Sequence, residues 1–108
     1  MILEMCVYRC AAGRLPVLLK RFETATLPLF EKHGFKSHGF FTTVIGASHQ
    51  ELTYMLRWES LAEREGCWRT FHADPEWIAA RTASEEDGFI VVNASNQILQ
   101  PTAFSPLR

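Results

Sequence analysis

At 108 residues, 47% of them hydrophobic and 21% charged, the chain is long enough for one domain, residues 1–108, with its own core, and too apolar to be disordered. A formal net charge of -1, with Arg9, Arg14, Lys20, Arg21, Lys32 and Lys36 scattered rather than clustered, argues against a nucleic-acid or anionic-membrane partner. No apolar run reaches the roughly 20 residues of a membrane span, Glu4 sits where a secretory h-region would run, and the three cysteines are too few for a disulfide framework, so a cytoplasmic protein with reduced thiols is expected.

From Ile2 to Arg9 apolar and polar residues alternate, which predicts a first strand. Leu3, Met5 and Val7 are assigned to the face under the helices, and Glu4 and Tyr8 to the opposite face. Glu4 then needs a partner there, because a buried unpaired carboxylate is costly. Gly13 ends the strand. Leu15, Leu18, Leu19, Phe22, Leu29 and Phe30 follow at helical spacing. Pro16 suits a first helical turn, whereas Pro28 predicts a kink or a split. Gly34 is placed as a left-handed residue just past the helix, with Phe35 packing behind it.

Residues 37–46 predict a second strand, with Phe40, Thr42 and Val44 on one face and Phe41, Thr43 and Ile45 on the other. A polar turn leads to a third strand over Leu52–Trp58, antiparallel to the second. Ser60 and Glu63 form a capping box in which the Glu63 carboxylate bonds back to Ser60. The helix that follows turns Leu61, Trp68 and Phe71 to one side. Asp74 and Pro75 read as N-cap and first residue of another helix, with Trp77 folded back on the preceding one. Phe89 to Val92 fits either a strand or a helical extension. Gln97 to Gln100 with its flanks predicts a last strand ended by Pro101 at a sheet edge, and the tail to Arg108 is expected to be extended. The order βαββαβ predicts an α+β, ferredoxin-like antiparallel sheet with helices on one face.

Several of these residues are similar to a known pattern. Glu4, Tyr8 and Gly13 resemble the opening strand of NIPSNAP domains, and Leu56, Trp58, Ser60 and Arg64 their aromatic pair and Ser-x-x-x-Arg. Asp74-Pro75-Glu76-Trp77 resembles their Asp-Pro-x-Trp element; Asn96, Ile98, Leu99, Pro101 and Phe104-Ser105-Pro106 resemble their close. Cys6, Leu56 and Trp58 depart from the residues usual at their positions. The resemblance spans nearly the whole chain and implies a homodimeric α+β barrel. It implies no particular reaction.

No glycine-rich phosphate loop occurs, so no nucleotide cofactor is expected. His33, His38, His49 and His72 lack ligand spacing, so no metal site is expected. Cys6 and Cys10, about 13 Å apart along an extended strand at about 3.3 Å per residue, cannot bridge one another. Cys67 and His72 lie on different faces of one helix. The functional signal is aromatic: an apolar pocket between sheet and helices, gated by a few polar groups. Its candidate residues are Tyr8, His38, Arg57, Trp58, Trp68, His72 and Trp77. Three functions fit such a chain: a dimer binding a small apolar or aromatic ligand, a cofactor-independent monooxygenase or isomerase of the α+β barrel type, and a structural interaction module whose aromatics only fill a core.

Overall fold

The computed structural model describes residues 1–108. Strands β1 (Ile2–Cys10), β2 (Lys36–Thr42), β3 (Glu51–Trp58) and β4 (Val91–Leu99) form one sheet in the order β2-β3-β1-β4. Every neighbouring pair is antiparallel. Helices α1 (Leu15–Arg21), α2 (Leu27–Lys32), α3 (Leu61–Ala73) and α4 (Pro75–Ser84) cover one face. The core lies between the layers, where Leu18, Phe22, Phe30 and Phe71 meet Cys6, Leu52, Tyr54, Leu56 and Trp58. This is the α+β ferredoxin-like arrangement. No helix is long and apolar enough to cross a membrane.

The faces of β1 are the reverse of the sequence expectation. Glu4 accepts hydrogen bonds from Arg64 and Trp68 of α3, and the Tyr8 ring lies 6.2 Å from that of Phe22. Glu4, Cys6, Tyr8 and Cys10 therefore lie under the helices, and Leu3, Met5 and Val7 face the other way. The physical reason is compensation: α3 and β4 supply donors that offset the desolvation of a carboxylate. The face turned away from the helices collects Leu3, itself buried, and the partly exposed Met5 and Val7 with their register neighbours Met55 and Leu99, and Phe41, which is 55% exposed.

Between α1 and α2 the helix does not simply bend. Phe22–Thr26 form a π-helical turn, closed by the Leu27 N–H donating to the Phe22 carbonyl. Pro28, which has no N–H, then falls in the first turn of α2, the position where it costs least. The expected split at Pro28 is thus present, in π form. At the other end of α2, Gly34 is left-handed at φ 82°, the Phe35 N–H donates to the Phe30 carbonyl at 2.9 Å, and the two rings stack at 4.2 Å.

β2 is shorter than expected and stops at Thr42; Val44 and Ile45 lie beyond it, 83% and 94% exposed. The register shifts between Ser37 and Phe40, around Gly39 at φ 115°. A Cβ at Gly39 would meet the tip of the exposed Phe41 ring at 2.7 Å, which could swing aside, so it is the backbone angle that calls for glycine. The shift turns Phe40 onto Tyr54, centroids 5.5 Å apart.

Ser60 caps α3 by accepting from the Glu63 N–H at 3.1 Å, while the Glu63 carboxylate reaches past Ser60 to the Glu59 N–H at 2.8 Å. Asp74 caps α4 through Glu76 N–H. Its other oxygen accepts from Lys32 Nζ at 2.8 Å and lies 2.7 Å from His33 Nε2, tying α2 to the α3–α4 corner. Those partners hold its carboxyl well below the usual carboxylate range. Trp77 folds back on Phe71 at 4.7 Å, as its position after the Asp-Pro cap predicts. The ambiguous segment from Phe89 resolves as Ile90, fully buried, leading into β4.

Candidate functional site

The first polar cluster is built around Glu4. Alternation in β1 brings its side chain to the helix face, where it is 1% exposed. Arg64 grips the carboxylate with two hydrogen bonds of 3.0 and 2.8 Å. The indoles of Trp58 and Trp68 donate at 3.0 and 3.1 Å, and Asn96 donates at 2.9 Å. Burial alone would raise the Glu4 carboxyl, but these hydrogen bonds outweigh it and hold the group below its ordinary value. Beside it, burial and the Glu4 charge push the Cys6 thiol up to about 12, so it stays protonated and unreactive.

The second feature is a cleft of about 440 Å³ between the helices and β4. Phe22, Phe30, Trp68, Phe71 and Trp77 give it an aromatic lining, and Tyr8 rises from the sheet. Arg21 and Thr26 enter from the π turn and the residue before it; Arg81 and Glu85 come from α4 and its end. Phe89, 80% exposed, stands on the rim. A smaller cavity of about 270 Å³ adjoins it, sharing Tyr8, Trp68, His72 and Ala94 and reaching Glu4, Arg64 and Asn96. A larger groove between α1 and α4, about 580 Å³, is more open and walled by small residues such as Ala25, Ala80 and Ala83, so it offers no aromatic platform.

Polar atoms in the cleft fall into two kinds. His72, exposed on its outer side, stacks on the Trp68 ring, centroids 5.3 Å apart, and partial desolvation there, followed by the Arg81 charge, lowers its pKa, so the imidazole is mostly neutral at pH 7. Tyr54 donates its hydroxyl hydrogen to the Tyr8 oxygen at 2.8 Å, and burial keeps both phenols protonated. Tyr8 therefore keeps a proton to donate. Thr26, 2% exposed, has a buried hydroxyl with no hydrogen-bond partner, and Arg21 Nε is likewise buried and unpaired.

Of the seven candidates read from the sequence, Tyr8, Trp68, His72 and Trp77 line this cleft. Trp58 does not: it is fully buried in the core, bonded to Glu4. Arg57 pairs with Leu3 and Lys36, on the sheet face away from the helices, and lies 3.8 Å from Glu59. His38 is on β2, across the sheet from β4, and lines neither cavity. Arg21, Thr26, Arg81, Glu85 and Phe89 were missed. The one sequence signal near them is Pro28, which disturbs the helix carrying Arg21 and Thr26.

The family model for NIPSNAP matches residues 3–106. Among solved structures, a NIPSNAP family protein of unknown function from Agrobacterium tumefaciens is 29% identical, with 100% of this chain and 94% of that chain covered and a TM-score of 0.87. Another NIPSNAP family protein from the same organism is 27% identical, with 99% and 98% covered and a TM-score of 0.88. A candidate antibiotic biosynthesis monooxygenase from Nitrosomonas europaea is similar in fold alone, at 5% identity, 94% and 98% coverage and a TM-score of 0.63. No curated protein matches the chain.

Proposed function

The chain belongs to the NIPSNAP family, and from that premise we propose that it is a homodimer that binds a small apolar or aromatic molecule between its sheet and its helices. One observation carries the ligand reading: the 440 Å³ cleft pairs an aromatic lining with convergent polar groups from Tyr8, Thr26 and His72. That combination of apolar walls and a few placed donors is typical of small-molecule sites.

The dimer is supported by the sheet face turned away from the helices, where Met5, Val7, Met55, Leu99 and Phe41 offer apolar surface that no helix of the same chain covers. Two such faces pressed together bury on the order of 2,000 Å² or more in total, the range of obligate interfaces. Sedimentation at low micromolar concentration tests this part; a folded monomer there contradicts it. A cytoplasmic location belongs to the same proposal, in keeping with three free thiols.

The ligand is tested by native mass spectrometry of gently purified protein, together with tryptophan-fluorescence titration against a panel of aromatic compounds. A retained small molecule or saturable quenching is expected. No retained mass and no quenching across the panel would favour the purely structural module. One feature favours a second reading, a cofactor-independent monooxygenase or isomerase: the neutral imidazole of His72 in the cleft wall is suited to accept a proton from a bound substrate. Oxygen uptake with quinols, lost in His72→Ala, is its test.

A further inference from the structure

The cleft wall is not electrically neutral. Its charged side chains are Arg21, Arg81 and Glu85. The Glu85 carboxylate is shared, 3.7 Å from Arg21 Nη1 and 3.8 Å from Arg81 Nε. One carboxylate between two guanidiniums leaves one positive charge in excess, and His72, neutral at pH 7, does not change that sum. Both separations exceed hydrogen-bond length, so Glu85 contributes attraction without satisfying either guanidinium's donors.

Arg21 is the group least provided for. It is 8% exposed, it donates to the neutral Ser84 hydroxyl at 3.2 Å, and its Nε has no partner. The face of Trp77, 5.2 Å from the guanidinium carbon, adds cation–π attraction but accepts no hydrogen bond in the guanidinium plane. A buried cation with so few acceptors is expensive for the fold to keep. Two further hydroxyls belong to residues that line the same space: that of Thr26, unpartnered though shielded from solvent, and that of Tyr8, whose oxygen already accepts from Tyr54. Phe22 and Thr26 belong to the π turn and Arg21 directly precedes it, and such turns recur at functional sites.

We propose that the ligand of this cleft is a planar apolar carboxylate, its ring against the aromatic lining and its carboxylate on Arg21. This rests on the reading of the cleft as a ligand site. A carboxylate brings two acceptor oxygens and one negative charge. That matches the excess charge and the donors together; a neutral acceptor such as an amide carbonyl meets the donors without the charge, and a cationic aromatic meets neither.

The test compares 2-naphthoate with 2-naphthamide, which share a ring and differ in charge, by isothermal titration calorimetry on the whole chain. The naphthoate is expected to bind at least about tenfold more tightly, as charge-assisted bonds to a desolvated guanidinium require. Arg21→Met should collapse that preference by weakening the naphthoate far more than the naphthamide, and Lys36→Met, on β2 at the sheet edge opposite β4, should leave both unchanged. Arg81→Met serves where Arg21→Met does not fold, and should reduce the preference. Equal affinities for the two compounds, or a preference retained in both arginine variants, overturn the carboxylate assignment and leave the aromatic-cleft reading standing. Failure of both compounds to bind overturns the assignment together with the reading beneath it.

Discussion

The carboxylate of Glu4 accepts five hydrogen bonds from four side chains, whereas the guanidinium of Arg21, under the same helix layer, has one hydrogen bond to a neutral hydroxyl and an unpaired nitrogen. Both groups are more than nine-tenths buried. The Glu4 carboxylate is saturated, with no acceptor position left for a ligand to use. It joins β1, β3, β4 and α3, and its role is to hold the helix layer on the sheet. Both groups border a cavity, but the Arg21 guanidinium is unsaturated, with a nitrogen that has no partner. A protein pays to desolvate a charge in either case, so the difference separates a group that serves the fold from one kept ready for something else.

Removing the saturated carboxylate should do the most damage. Glu4→Ala leaves Arg64 without its partner and two indole N–H groups without an acceptor, at an expected cost of about 3–5 kcal/mol in urea unfolding. A loss under about 1 kcal/mol would place this cluster with ordinary surface ion pairs and erase the contrast.

Acid should act through the same group. The folded-state pKa of Glu4 lies below its ordinary value, so its stabilisation is fully present above that ordinary value and is lost as the pH falls through the lower, folded pKa. Asp74 is depressed in the same direction and loses its contribution in the same acid range. Stability should therefore be flat above about pH 7, ease slightly below the ordinary histidine range because His72 is depressed in the fold, and fall further below about pH 4.5. In Glu4→Gln that acid fall should be shallower, because only the Asp74 part remains.

Trp68→Phe keeps a ring against Phe35 and Phe71 but removes one of the five donors to Glu4. The expected cost is about 1–2 kcal/mol. Smaller again is Ser60→Ala, about 1 kcal/mol through loss of the α3 cap. Because that cap touches neither buried charge, its variant should bind cleft ligands with unchanged affinity. A binding defect in Ser60→Ala would mean that helix stability, not the cleft wall, sets affinity.

The sequence carried the element order because periodicity and caps are local. Ser60 and Asp74 cap their helices from within three residues, and Gly34 needs only its own backbone angle. What it did not carry was the side of β1 on which Glu4 lies. An alternating strand has two equivalent assignments until its partners are known, and those partners, Arg64 and Asn96, stand 60 and 92 positions away. The cleft was legible where it is local, at Trp68, His72 and Trp77, and illegible where packing of α1 against α4 brings Arg21 to Ser84 and Glu85. Strand parity also places Arg57 away from the cleft. The parity that turns Leu52, Tyr54, Leu56 and Trp58 inward on β3 turns Arg57 outward.

The contrast between the two buried charges is tested most directly by making the same substitution at two arginines and measuring urea midpoints side by side. Arg64→Met strips the saturated cluster and leaves the Glu4 carboxylate buried beside two indoles and an amide; a loss of about 3–5 kcal/mol is expected. Arg21→Met removes a poorly paired cation and puts an apolar side chain in its place against Trp77, and a change within about 1 kcal/mol in either direction is expected. Equal losses of several kcal/mol in both variants would show that Arg21 serves the fold as Arg64 does, and would contradict the account.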